Sequence, residues 1–166
     1  MGELVDRVDE QDRTVGTVDR DEAIARHWLH RVATTVCRDR EGRVLVHRRA
    51  ADMARFPGQY NFLVGGAAEA GESYEQAAAR ELTEELGVVT PVRFAFKYLC
   101  RGVISPYWMG VHEAVVRTDI ADITAITPDP DEIAWHAWVT EDELRKMARR
   151  PTFVADSVEA LDRYLN

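Results

Sequence analysis

Three glutamates, Glu81, Glu84 and Glu85, crowd the end of the stretch GGAAEAGESYEQAAARELTEELGV, which runs from Gly65 to Val88. The stretch reads as a helix. Ser73 is placed to cap it, Gln76 completes a capping box, and Gly87 stops it. At about 100° per residue, Glu85 lies about 40° to one side of Glu81 and Glu84 about 60° to the other, so all three share a face. Ala78, Leu82 and Leu86 form a neighbouring apolar stripe that would hold that face at the edge of a core. For the helix alone the arrangement is unfavourable. Glu81 repels both Glu84 and Glu85, and a helix C-terminus disfavours negative charge. Solvated acidic faces normally mix signs, and here Arg80 is the only base in the helix. Two readings stand at this level. One is a solvated face; the other is a set of hard oxygen ligands for Mg²⁺ or Mn²⁺, ions that bridge to substrate phosphate.

The elements that must position these glutamates follow from the rest of the chain. Leu4 to Val18 predicts two short strands around the polar turn Asp9 to Arg13, and Asp19 to Trp28 a short helix or extended connector. Arg31 to Cys37 and Arg43 to Arg48 are strand-like and flank the turn Asp39 to Gly42, which predicts a hairpin. Phe62 to Val64 is a short apolar segment ending at Gly65-Gly66. Val92 to Cys100, Tyr107 to Val116 and Ile133 to Val139 are further strands. Thr140 to Glu143 opens a short helix, and Val154, Val158, Leu161 and Leu165 give an amphipathic one at the end of the sequence. The expectation is one α+β domain over residues 1–166, with residues 1–28 as an N-terminal hairpin and connector packed on it.

Bulk properties narrow the function. The 166 residues are 46% hydrophobic and 30% charged, with a formal net charge of −8. A chain this acidic is a poor general binder of a nucleic acid polymer, because the phosphate backbone rewards basic surfaces. A small phosphorylated ligand is still compatible, held by a few arginines or a cation. Cys37 and Cys100 are far apart with no CxxC, so neither a zinc site nor a redox pair is expected, and buried thiols are. No apolar run is long enough for a membrane span, and the acidic N-terminus is no signal peptide, so a cytoplasmic protein is expected. Oligomeric state is open, a dimer included.

Gly66, Glu72, Arg80-Glu81-Leu82, Thr83, Glu84-Glu85, Leu86, Gly87 and Val88 match the Nudix box at every fixed position. The chain therefore resembles the Nudix hydrolases over most of its length. That resemblance implies an α/β/α sandwich with a mixed sheet and a metal-binding loop–helix–loop. It implies Glu81 and Glu85 as ligands of Mg²⁺ or Mn²⁺, Glu84 as a further or water-mediated ligand, and a main-chain oxygen near Gly66. Glu72 and Arg80 would brace the loop against the helix, with Gly87 as the stop. The implied reaction is hydrolysis of a diphosphate joined to some group X, with a metal-activated water. The general base would be a box glutamate (Glu84 or Glu85) or a later carboxylate, Asp131 or Glu132, with Glu132 the leading candidate among the later ones. The implied partner is a small-molecule diphosphate such as a nucleoside diphosphate derivative.

The segment from Leu45 to Ser73 is similar to the branch that includes isopentenyl diphosphate isomerases and related bacterial hydrolases. Arg48 and Arg49 would recognise diphosphate, although adjacent strand residues face opposite ways, so at most one faces the pocket. Gly65 and Ala67 stand where an isomerase carries its cysteine and metal-binding histidine, and Met53 where it carries a lysine. His30 and Glu113 do resemble isomerase positions, but a glycine cannot do acid–base work, so hydrolysis is favoured over isomerisation. A catalytically silent binding module is the other alternative, and the complete box disfavours it. Tyr107 and Trp108 are candidates to stack on a base, against the ordinary reading of a core strand. His27, His47, His112 and His136 show no metal-ligand spacing.

Overall fold

The structure is a computed structural model that describes residues 2–116 and 126–166. Its centre is β3 (Arg31–Arg38), which pairs in parallel with β8 (Tyr107–Val115) and antiparallel with β6 (Leu63–Ala67). β8 in turn pairs with the outer strand β7 (Arg93–Cys100). A second arm is built on β4 (Val44–Arg49), flanked by β5 (Tyr60–Asn61) and β9 (Ile133–Val139). The expected hairpin between β3 and β4 needs correction. The two strands meet only at Arg38 and Val44. The Asp39 carboxylate closes the turn by accepting from the Glu41 and Arg43 amides at 3.0 and 2.8 Å. Beyond that turn each strand takes other partners, and the divergence opens a space between the two arms.

Alternation along the strands divides the core between two faces of the sheet. Val44 and Val46 join Val36, Phe62, Val111, Leu144 and Leu161 on one face, under α3 (Glu141–Ala148) and α4 (Asp156–Leu165). Leu45 and Cys37 face the other way, against Leu82 and Leu86 of α2 (Tyr74–Leu86). Helices on both faces of a mixed sheet make the expected α/β/α sandwich. α2 has the predicted capping box, with Ser73 and Gln76 bonding reciprocally, and ends at Gly87 in a left-handed conformation, φ 66°. At α3, Thr140 accepts from the Glu143 amide, while the Glu143 carboxylate bonds the Thr140 hydroxyl instead of its backbone. Cys37 and Cys100 are free and buried. Among the described residues no helix is long and apolar enough to cross a membrane.

The N-terminal segment forms β1 (Leu4–Val8), β2 (Thr14–Asp19) and α1 (Arg20–Arg26), with Asp19 capping the helix. Its turn is fixed by Asp12, whose side chain is 1% exposed and sits on a left-handed backbone, φ 60°. That carboxylate accepts from Arg31 Nε at 2.7 Å, Lys97 Nζ at 2.7 Å and the Tyr74 hydroxyl at 2.8 Å. One side chain thereby ties the hairpin to β3, β7 and the first residue of α2. Burial alone would raise the Asp12 pKa, but the hydrogen bonds from Lys97, Arg31 and Tyr74 outweigh it and hold it below 3.8.

A depressed native pKa stabilises the fold above the unfolded value of about 4 and ceases to do so as pH falls through the native value. Asp12→Asn is therefore expected to cost about 2–3 kcal/mol at pH 7, because it strands buried or half-buried charges. The gap from the parent should close towards pH 3. Urea denaturation at the two pH values measures both.

Candidate active site

The space between the two arms of the sheet is a cavity of about 470 Å³. α2 supplies its acidic wall. The buried stripe of Ala78, Leu82 and Leu86 fixes the roll of the helix, so that Glu81, Glu84 and Glu85 all line the cavity. Glu132, in the turn just before β9 (Ile133–Val139), completes the wall, held by a bond from the Ala50 amide to its carbonyl at 2.9 Å. The three helix glutamates differ in setting. Glu84 is 55% exposed. Glu81 is largely enclosed. Glu85 is 5% exposed, and its Oε2, like Oε2 of Glu132, is buried without a hydrogen-bond partner among the described residues.

Arg80, midway along α2, reaches back to the loop ahead of the helix. Its Nε and Nη2 donate to the two Glu72 oxygens at 2.9 Å each, and Nη2 also reaches the Ala67 carbonyl at 3.2 Å. Glu72 in turn accepts from the Glu69 amide at 2.7 Å. The remaining Nη1 contacts Glu81 at 3.0 Å and Glu84 at 3.4 Å. Arg80, the only base in the helix, thus serves two of the three glutamates, and among the described residues Glu85 has no cation within ion-pair distance. Burial is the main reason Glu81 is pushed up to about 7, with Glu84 and Glu132 adding to it against Arg80. Burial, then the fields of Glu81 and Glu132, push Glu85 well above its ordinary value.

These residues suit a divalent cation on the chemistry of the donor set. Buried carboxylate oxygens without partners face a common space, and Gly66 leaves it open. A Cβ there would lie 2.8 Å from Glu81 Oε1. Among the described residues no three acidic, histidine or cysteine side chains close into a tight cage. Mg²⁺ does not require one, since it keeps several waters and takes one or two carboxylates plus substrate phosphate.

The opposite wall is basic and apolar. Arg49 lines the cavity and donates from Nε to the Arg55 carbonyl at 2.9 Å. Arg48, its neighbour, is exposed and does not line the cavity, so of the pair only Arg49 faces it. The same parity corrects Trp108. Tyr107 and Met109 of β8 line the cavity, whereas the Trp108 indole points to the N-terminal hairpin and donates to the Asp9 carbonyl at 3.0 Å. The Tyr107 hydroxyl is tied to Asp156 at 2.7 Å. Asp131 is exposed and does not line the cavity, which leaves Glu132 as the later-loop carboxylate. Phe56, next to Pro57, also lines it, on a left-handed backbone at φ 49°, a conformation that costs about 1–3 kcal/mol in a non-glycine residue.

Sequence reasoning missed Arg20, Arg55 and the site placement of His30. All three line the cavity. No spacing rule links them, because Arg20 comes from α1, Arg55 from the loop after β4 and His30 from the residue before β3. Burial, with Arg20 and Arg55 adding to it, pushes His30 down to about 4, so it is neutral at physiological pH. At Gly65 a Cβ would collide with the Ala33 carbonyl and stand 2.7 Å from the Thr34 Cα. No acid–base side chain fits there.

Residues 28–163 match the NUDIX domain. The chain is 42% identical over 164 residues to an uncharacterized Nudix hydrolase of Streptomyces coelicolor, covering 97% of this chain and 87% of that one. It is 30% identical over 154 residues to a prenyl-diphosphate phosphatase of Methanosarcina mazei, covering 88% and 84%. The crystal structure of DR0079 from Deinococcus radiodurans superposes with a TM-score of 0.79 at 28% identity, covering 97% and 98%.

The raised carboxyls predict a pH signature in chelator-treated protein. A raised native pKa leaves the fold undisturbed below the unfolded value of 4.5, and the destabilisation grows from there until pH reaches the native value, about 7 for Glu81 and well above the ordinary range for Glu85. Glu85→Gln removes that buried charge. It should raise the Tm of metal-free protein at pH 8 by about 2–4 °C and change it little at pH 5. Thermal melts at the two pH values in the presence of chelator measure this.

Proposed function

The chain belongs to the Nudix hydrolase family, and from that premise we propose that it hydrolyses the diphosphate linkage of a small molecule with Mg²⁺ or Mn²⁺. The observation that carries this reading is the buried Glu85, whose Oε2 has no hydrogen-bond partner among the described residues, set with Glu81, Glu132 and Arg49 around one cavity. Glu81 and Glu85 would hold the cation, with Glu84 as an outer ligand and the main chain at Gly66 close by. When bound, the cation neutralises phosphate charge and lowers the pKa of a water. The protein does the rest. Arg80, locked to Glu72, fixes the loop against α2 and keeps Glu81 in place. Arg49 holds a phosphate oxygen by charge-assisted hydrogen bonding. Glu132, whose Oε2 is buried and free, accepts the proton from the attacking water.

The group X is a nucleoside or another small moiety. A second reading, an isoprenoid X, draws on two observations. Ile24, Met53, Leu63, Ile104 and Met109 give the cavity an aliphatic side, and a relative is a prenyl-diphosphate phosphatase. With Trp108 turned away, one of the two expected stacking platforms is lost. Isomerase chemistry is disfavoured because Gly65 has no room for a side chain.

A panel of nucleoside diphosphates, nucleotide sugars and isoprenoid diphosphates, scored by released phosphate with Mg²⁺ or Mn²⁺, identifies the substrate. On that substrate Glu85→Gln should lower kcat by about a hundredfold or more. Near-parental turnover by Glu85→Gln would remove the assignment, and binding without turnover of any compound would favour a ligand-binding module.

A further inference from the structure

Residues 2–27 lie ahead of the stretch that matches the NUDIX domain, yet Glu3, Arg20 and Ile24 line the cavity. This segment is strapped to the catalytic loop. The Ala70 amide donates to the Leu4 carbonyl at 2.9 Å, and the Gly71 amide to Asp6 Oδ2 at 3.1 Å. Asp12 pins its turn to the first residue of α2. Arg20 is therefore delivered by a segment fastened to the same loop and helix that carry the acidic wall.

Arg20 has donor capacity to spare. Its Nη1 reaches Glu3 at 3.2 Å, while its Nε is buried with no partner among the described residues. Arg55 reaches Asp21 at 3.6 Å, and that carboxylate is largely in solvent. Among the described residues Arg49 has no carboxylate within ion-pair distance. His30, 2% exposed, has an unpartnered Nδ1. Three guanidiniums gathered on one cavity repel one another unless an anion sits between them.

We propose that Arg20 is a specificity-determining residue that, with Arg49 and Arg55, binds a substrate phosphate bearing no second ester. A terminal phosphate offers close to two negative charges and three acceptor oxygens near neutral pH, whereas an esterified one offers fewer of both. The protein thus selects small molecules ending in a free phosphate over diphosphates substituted at both ends. This rests on the reading of the cavity as a diphosphate site.

The test is calorimetric titration with methylenediphosphonate, a non-hydrolysable diphosphate mimic, in excess Mg²⁺. Arg20→Gln should weaken binding about tenfold or more, and Arg20→Lys should recover part of the loss. The same probe esterified at both ends should bind parent and Arg20→Gln alike, with melting temperatures confirming that the variants fold. A parent that does not bind the probe, or an Arg20→Gln affinity within about twofold of the parent, overturns the proposal. The titration reads binding alone, so failure of every diphosphate to turn over counts against the hydrolase reading and not against this one.

Discussion

A carboxylate taken out of water must find a proton, a cation or a set of donors, and among the described residues Glu85 has no cation within ion-pair distance and no donor to its Oε2. Its burial follows from the helix that carries it: the stripe of Ala78, Leu82 and Leu86 can be covered only by rolling Glu85 towards the sheet. Glu81, one turn earlier, and Glu132, from the turn that leads into β9 on the other arm, then converge on it. The tension is local and electrostatic, and much of the surrounding structure serves to keep it from relaxing. The capping box and the left-handed Gly87 hold the helix at both ends. Arg80 and Glu72 hold the loop ahead of it, and Gly66 leaves the adjoining space free of side chain.

The sheet contributes by failing to close. β3 and β4 part after Arg38 and Val44, β6 takes the place beside β3, and β9 pairs with β4. Their separation lets one arm present His30 and Thr34, and the other Arg49, to the same space. The N-terminal segment borders this opening and adds Arg20 from the start of α1. Acidic and basic walls are thus built from different parts of the chain and meet only after folding.

This division explains what could be read beforehand. The acidic wall was legible, because its three glutamates, their apolar stripe and their caps lie on one helix, where periodicity and spacing carry the information. The mixed α+β layers were legible for the same reason. The basic wall was not. Arg20, His30, Arg49 and Arg55 come from four different places, and only the pairing of strands brings them together. Parity alone could say that Arg48 and Arg49, or Tyr107 and Trp108, face opposite ways, but not which one faces in. That choice was made by partners distant in sequence: the Asp9 carbonyl draws Trp108 out, and Asp156 holds Tyr107 in. The β3–β4 hairpin was over-read because a good turn looks the same whether or not its strands stay together.

The parallel pairing of β3 with β8 has a consequence in time. Thr34 Oγ1 donates to the Gly110 carbonyl at 2.9 Å across 76 positions of sequence. The strand at the centre of the sheet therefore waits for a partner synthesised long after it, and closing so long a loop before any gain in contact makes parallel pairing slow. On the ribosome, α2 emerges well ahead of β8, so its buried stripe and its glutamates exist for a while with no finished sheet to lie against. The acidic face that is awkward in the finished protein helps during that interval, because like charges on neighbouring nascent chains keep exposed apolar helices apart.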